Sequence, residues 1–94
     1  MNVKLIRMWS GDEVIADLKD NLTDIIVIEN PILAISTDSG IGKFIAWSPL
    51  LKVKGAELEV NKRHIVYIAD TQPNVVDQYN EMFSTTDDYE KQKD

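Results

Sequence analysis

The chain has no cysteine, a single histidine and only ten lysines and arginines among its 94 residues. Without cysteine there is no disulfide, no thiol nucleophile and no cysteine-ligated zinc. One imidazole, His64, leaves metal binding to carboxylates, and these lack the spacing of a calcium loop, so no metal is expected. Ten basic residues face sixteen acidic ones, a formal net charge of -6. Nucleic-acid backbones are bound through neutralisation by Lys and Arg, so this balance argues against a general nucleic-acid coat but leaves room for a local basic site. Long hydrophobic runs are missing as well. A stretch such as Ile25 to Ile28 is far too short to cross a bilayer, so no membrane partner is expected. Met1-Asn2-Val3-Lys4 runs directly into strand-like sequence without the apolar core and cleavage site of a signal peptide, and a cytoplasmic protein is the simplest expectation.

The length admits one domain with a modest core. Its pattern is β-rich. Val3 to Trp9 places Val3, Leu5 and Trp9 on one side of a strand and Lys4, Ile6 and Met8 on the other; neither side is purely polar, which predicts cover on both. After a Ser10-Gly11-Asp12 turn, Glu13 to Lys19 alternates Val14, Ala16 and Leu18 against Ile15, Asp17 and Lys19. Past an Asp20-Asn21 turn, Ile25 to Ser36 is a long β-type run interrupted at Glu29-Asn30-Pro31. Proline cannot donate to a ladder, so a bend, bulge or edge belongs there. Thr37-Asp38-Ser39-Gly40 signals another turn before a strand from Ile41 to Ser48, which Pro49 stops. Leu50 to Ala56 fits either a loop crossing or a kinked continuation. A short strand over Glu57 to Val60, a turn at Asn61-Lys62-Arg63 and a strand from His64 to Ala69 follow.

Pro73 opens the one helix, roughly to Phe83, with Val75, Val76, Tyr79, Met82 and Phe83 on a common face. The expected domain is therefore residues 1–84, with an acidic, flexible tail over 85–94. The architecture that follows is mainly β: about five strongly bent antiparallel strands with a C-terminal helix packed on them. Such a small sheet leaves two edges with unpaired backbone groups, which closure or pairing with another copy would satisfy.

Asn61-Lys62-Arg63-His64 running into Ile65-Val66-Tyr67-Ile68, with strands upstream punctuated by Gly and Asp turns, resembles the Sm-like (LSm and Hfq) family of small β-barrels. The similarity covers roughly Val3 to Ile68, and the terse β sequence is also similar to phage-encoded members. It departs from the family pattern in four places. The Asp and Asn spacing of the first motif is missing, Arg63 has no following Gly, the stretch between Ile41 and Val60 is longer than in a compact member, and the helix stands at the opposite end of the chain. The resemblance implies an SH3-like barrel that assembles into a homo-oligomeric ring of roughly five to seven subunits. It further implies that Lys62 and Arg63 neutralise phosphate, that His64 hydrogen-bonds a base or ribose, and that Asn21 or Asp24 meets a base edge near the pore. Single-stranded RNA is the implied partner, bound without catalysis. The alternative is an oligomeric structural or protein-interaction module without RNA affinity, for which the acidic surface speaks.

Other candidates are weaker. A polar triplet at a tight turn is commonly just a solvated turn, and Trp9 and Trp47 could stack on bases, although strand aromatics more often belong to a core or an interface. Asp12 with Glu13, and Asp87 with Asp88, are sequence neighbours that a strand would point to opposite faces, which suits no acid and base pair. Ser39-Gly40-Ile41-Gly42-Lys43 lacks the spacing and the following helix of a phosphate loop. No nucleophile can be paired with a base, so neither an enzyme nor a cofactor is expected.

Overall fold

A computed structural model of the protein describes residues 1–38, 40–51 and 54–93, with backbone only at 36, 37, 40, 41 and 84–93. Six strands form one antiparallel sheet: β1 (Val3–Met8), β2 (Glu13–Asn21), β3 (Ile25–Thr37), β4 (Gly40–Ala46), β5 (Glu57–Asn61) and β6 (Ile65–Ala69). A 3-10 turn, Lys62–His64, separates β5 from β6, and the helix α1 (Pro73–Lys93) ends the chain. The acidic tail from Thr85 falls on residues whose side chains lie outside the described set, as do Ser39 of the glycine-containing turn and Lys52-Val53 of the unassigned stretch.

The count is six strands rather than five, yet the strands occupy five positions. β2 lies along one side of β3; on the other side β5 pairs with Ile25 to Glu29 and β4 with Ile32 to Thr37. β4 and β5 thus lie end to end along one neighbour, separated by the segment 47–56. The order across the sheet is β4 or β5, then β3, β2, β1 and β6.

The expected irregularity at Glu29-Asn30-Pro31 is a bulge. Ile15 and Asp17 of β2 face Ile32 and Glu29 of β3, so β3 carries one extra residue there. Asn30 takes up the strain with φ 52, a left-handed conformation that Asn tolerates better than most residues. Its Oδ1 accepts from Gly55 N at 2.8 Å and its own N–H donates to Ala56 O at 2.8 Å, so the bend also anchors the end of the 47–56 segment.

Both faces of the sheet are covered, as the lack of a polar face on β1 requires. Ile6, Met8, Val14, Ala16, Ile26, Ile28 and Val60 form one buried cluster, within the curve of the sheet. Val3, Ile15 and Ile32 point the other way and pack on Val75, Tyr79 and Phe83 of α1. These helix residues recur every fourth position, a single stripe. Met82 was expected on that stripe but is exposed.

The sheet is not closed, but it curls sharply. In a flat sheet β5 and β6 would stand four strand spacings apart, about 19 Å. Asn61 and Ile65 are joined by four Cα steps, which reach at most about 14 Å and less in a 3-10 turn. Only curvature brings the two edges within that reach.

Candidate functional site

The turn that joins those edges carries the basic triplet. Asn61 caps it, its side chain accepting from Arg63 N at 2.9 Å, and Ile65 N–H donates back to Lys62 O. Asn is well suited to this because its short side chain reaches the backbone two residues on. His64, expected to begin a strand, is the last residue of the turn, and β6 starts at Ile65. Two further backbone bonds fix the turn from either side. Lys62 N donates to Asp24 O at 2.9 Å, and Trp9 N donates to His64 O at 2.8 Å.

These bonds gather three separate parts of the chain at one place. The β2–β3 turn over Leu22 to Asp24 is closed by Leu22 N to Ile25 O at 2.9 Å. The β1–β2 hairpin brings Trp9, Ser10 and Gly11, with Gly11 at φ 98 as a three-residue hairpin loop demands. Asp24 therefore sits against Lys62, as a backbone partner with an exposed side chain. Asn21 is not a turn residue but the last residue of β2, paired with Ile26 and exposed.

Charge is distributed unevenly around this site. Lys4 is paired with Asp70, Arg7 with Glu13 at 3.4 Å and Lys19 with Asp17 at 3.7 Å. Among the described residues the side chains of Lys62, Arg63 and His64 make no ion pair. The carboxylates of the adjacent hairpin are engaged elsewhere: Asp12 accepts from Trp47 Nε1 at 3.2 Å, and Glu13 accepts from Tyr67 Oη at 3.1 Å as well as from Arg7. That hydrogen bond to Glu13 raises the Tyr67 hydroxyl above its ordinary pKa. Asp12 and Glu13 thus belong to separate bonding sets and do not act as a pair.

Trp9 departs most from expectation. Strand alternation put it on the face of Val3 and Leu5, whereas the hairpin turn begins at Trp9 and leaves the residue 71% exposed, outside both buried clusters. The signal that could have located it was Gly11, which sets the length of the loop. Trp47, by contrast, packs against the inner cluster.

Among the described residues no group of three or more His, Cys, Asp or Glu side chains could hold a metal ion, and no helix is long and apolar enough to cross a membrane. Compared with models of protein families and with curated proteins, the chain matches none.

Proposed function

We propose that the protein is an Sm-like module whose curled five-position sheet acts as a barrel subunit of a homo-oligomeric ring. Single-stranded RNA is held at the turn Lys62–His64, with Asn21 and Asp24 beside it. One observation carries this reading: in a protein of net charge -6, half-buried Lys62 and exposed Arg63 and His64 make no ion pair among the described residues, while Lys4, Arg7 and Lys19 are each paired with a carboxylate. An unpaired, capped turn presents its cations without first breaking ion pairs. Repetition of the turn around a ring would convert a weak phosphate contact into a strong one.

The test is RNA binding by the purified protein across a salt series, with Arg63→Ala alongside. Arg63 enters the cap through its backbone N–H, which alanine keeps, so stability should change by no more than about 0.5 kcal/mol. Affinity should fall by more than about tenfold, because one charge is lost from every subunit. The salt dependence should become shallower as fewer counterions are released. Native mass spectrometry should show one closed oligomer for both proteins. Absence of RNA binding by the wild type at low salt would sink the RNA reading. The second reading, a protein-interaction module, would then stand on the acidic surface and on the exposed Val66 and Tyr67 of edge strand β6.

A further inference from the structure

The site contains one side chain that phosphate binding does not use. Trp9 is the most exposed aromatic among the described residues, and it belongs to the same end of the sheet as the basic turn. Its backbone is fixed on three sides. Trp9 N donates to His64 O at 2.8 Å, while Gly11 N to Met8 O and Met8 N to Asp12 O, both 2.9 Å, close the hairpin around it. Trp9 therefore offers an exposed indole to a flat, apolar partner from a backbone position that is fixed at this end of the sheet. The bond to His64 places the backbones of residues 9 and 64 within roughly the 5 Å that separates neighbouring strands. That is less than the length of one nucleotide.

We infer that Trp9 is a base-stacking residue and that it completes, with Lys62, Arg63 and His64, a site for one nucleotide step of single-stranded RNA. The phosphate lies at Lys62 and Arg63, and the adjoining base stacks on the Trp9 ring. This deepens the RNA reading above and rests on it. Two properties follow from the chemistry. A base can stack on a side chain only when it has left its own helix, so the site discriminates against duplex. Every base offers a π-face, so the contact tolerates sequence while favouring the larger purines.

The experiment compares wild type, Trp9→Ala and Trp9→Phe for binding to a short single-stranded oligoadenylate, to the same strand annealed to its complement, and to inorganic polyphosphate. Trp9→Ala should weaken oligoadenylate binding by about 5- to 150-fold. It should leave polyphosphate binding unchanged, and Trp9→Phe should keep most of the wild-type affinity. Tryptophan fluorescence should be quenched by oligoadenylate in the wild type, and the quench should disappear in Trp9→Phe, where Trp47 remains. If Trp9→Ala binds oligoadenylate as tightly as wild type, stacking is overturned while the basic turn survives as a phosphate site. Equal losses for oligoadenylate and polyphosphate would reduce Trp9 to a support for the turn and overturn stacking in the same way. A wild type that binds neither ligand overturns the RNA reading itself, and this inference with it.

Discussion

Replacing Tyr79 by Phe removes one oxygen from the largest fully enclosed side chain among the described residues. That oxygen joins three elements. It accepts from Asp17 N of β2 at 3.1 Å, and its proton is shared between Glu29 O and Asn30 O, both at 2.9 Å, at the bulge of β3. Phenylalanine keeps the ring and its tilted contact with Phe83 at 4.6 Å between centroids, so the packing is conserved and the hydrogen bonds alone are lost. An orphaned buried N–H at Asp17 costs about 1–3 kcal/mol, and the lost donation to the bulge costs roughly 0.5–1.5 kcal/mol more. The expected loss is therefore about 1.5–4.5 kcal/mol, a fall in Tm of roughly 6–36 °C for a domain of this size. Urea unfolding followed by circular dichroism should show a lower midpoint at an unchanged slope. Tyr67→Phe is the internal control. Its hydroxyl meets Glu13 at the surface, and removing it should change stability by no more than about 0.5 kcal/mol. Equal effects of the two substitutions would refute the claim that Tyr79 stitches the helix to the bulge.

Burial raises the Tyr79 pKa above its ordinary value of 10.0, so the folded protein keeps this proton where the unfolded chain loses it. Stability from this group is complete below about pH 10 and declines as pH rises above it, by up to about 1.4 kcal/mol per unit. Urea midpoints across that range should fall less steeply for Tyr79→Phe; parallel slopes would assign the alkaline loss to other groups. At the bulge, Asn30→Ala and Asn30→Gly both lose the 2.8 Å bond from Gly55 N, but only alanine must hold a side chain at φ 52. Asn30→Ala should therefore be the less stable of the two by about 1 kcal/mol, measured by the same unfolding.

The strands were legible because alternation and turn residues are local signals. Val14, Ala16 and Leu18 alternate with Ile15 as the period-two pattern of Glu13 to Lys19 predicts, the first three with one buried cluster and Ile15 in the other. Pro31 after Asn30 announced the bulge. What alternation cannot supply is which strand lies beside which. That β4 and β5 share one flank of β3 depends on pairings reached only after the segment 47–56 has crossed over. The candidate site divides in the same way. Lys62, Arg63 and His64 are adjacent in sequence and were visible as a group. Their contacts with Asp24 and Trp9 arise from curvature of the sheet, which no local pattern encodes. Trp9 was misplaced because alternation was carried one residue too far, past the point where Gly11 makes the chain turn.

The three-residue link between the sheet edges also orders events in time. The β1–β2, β2–β3 and β3–β4 pairs join segments close in the chain, whereas Met8 meets Ile65 at a separation of about 60 residues. Contacts of such long range carry the larger loop-closure entropy and form late. Lys62 N to Asp24 O extends the β3–β5 pair, but Trp9 N to His64 O forms only when the last strand docks, so a chain still folding has no complete site to offer a ligand. The Trp9 amide, bonded to His64 O, is the reporter of that step. In pulsed hydrogen exchange it should gain protection after the amides of β2; earlier protection would mean that the ends meet first.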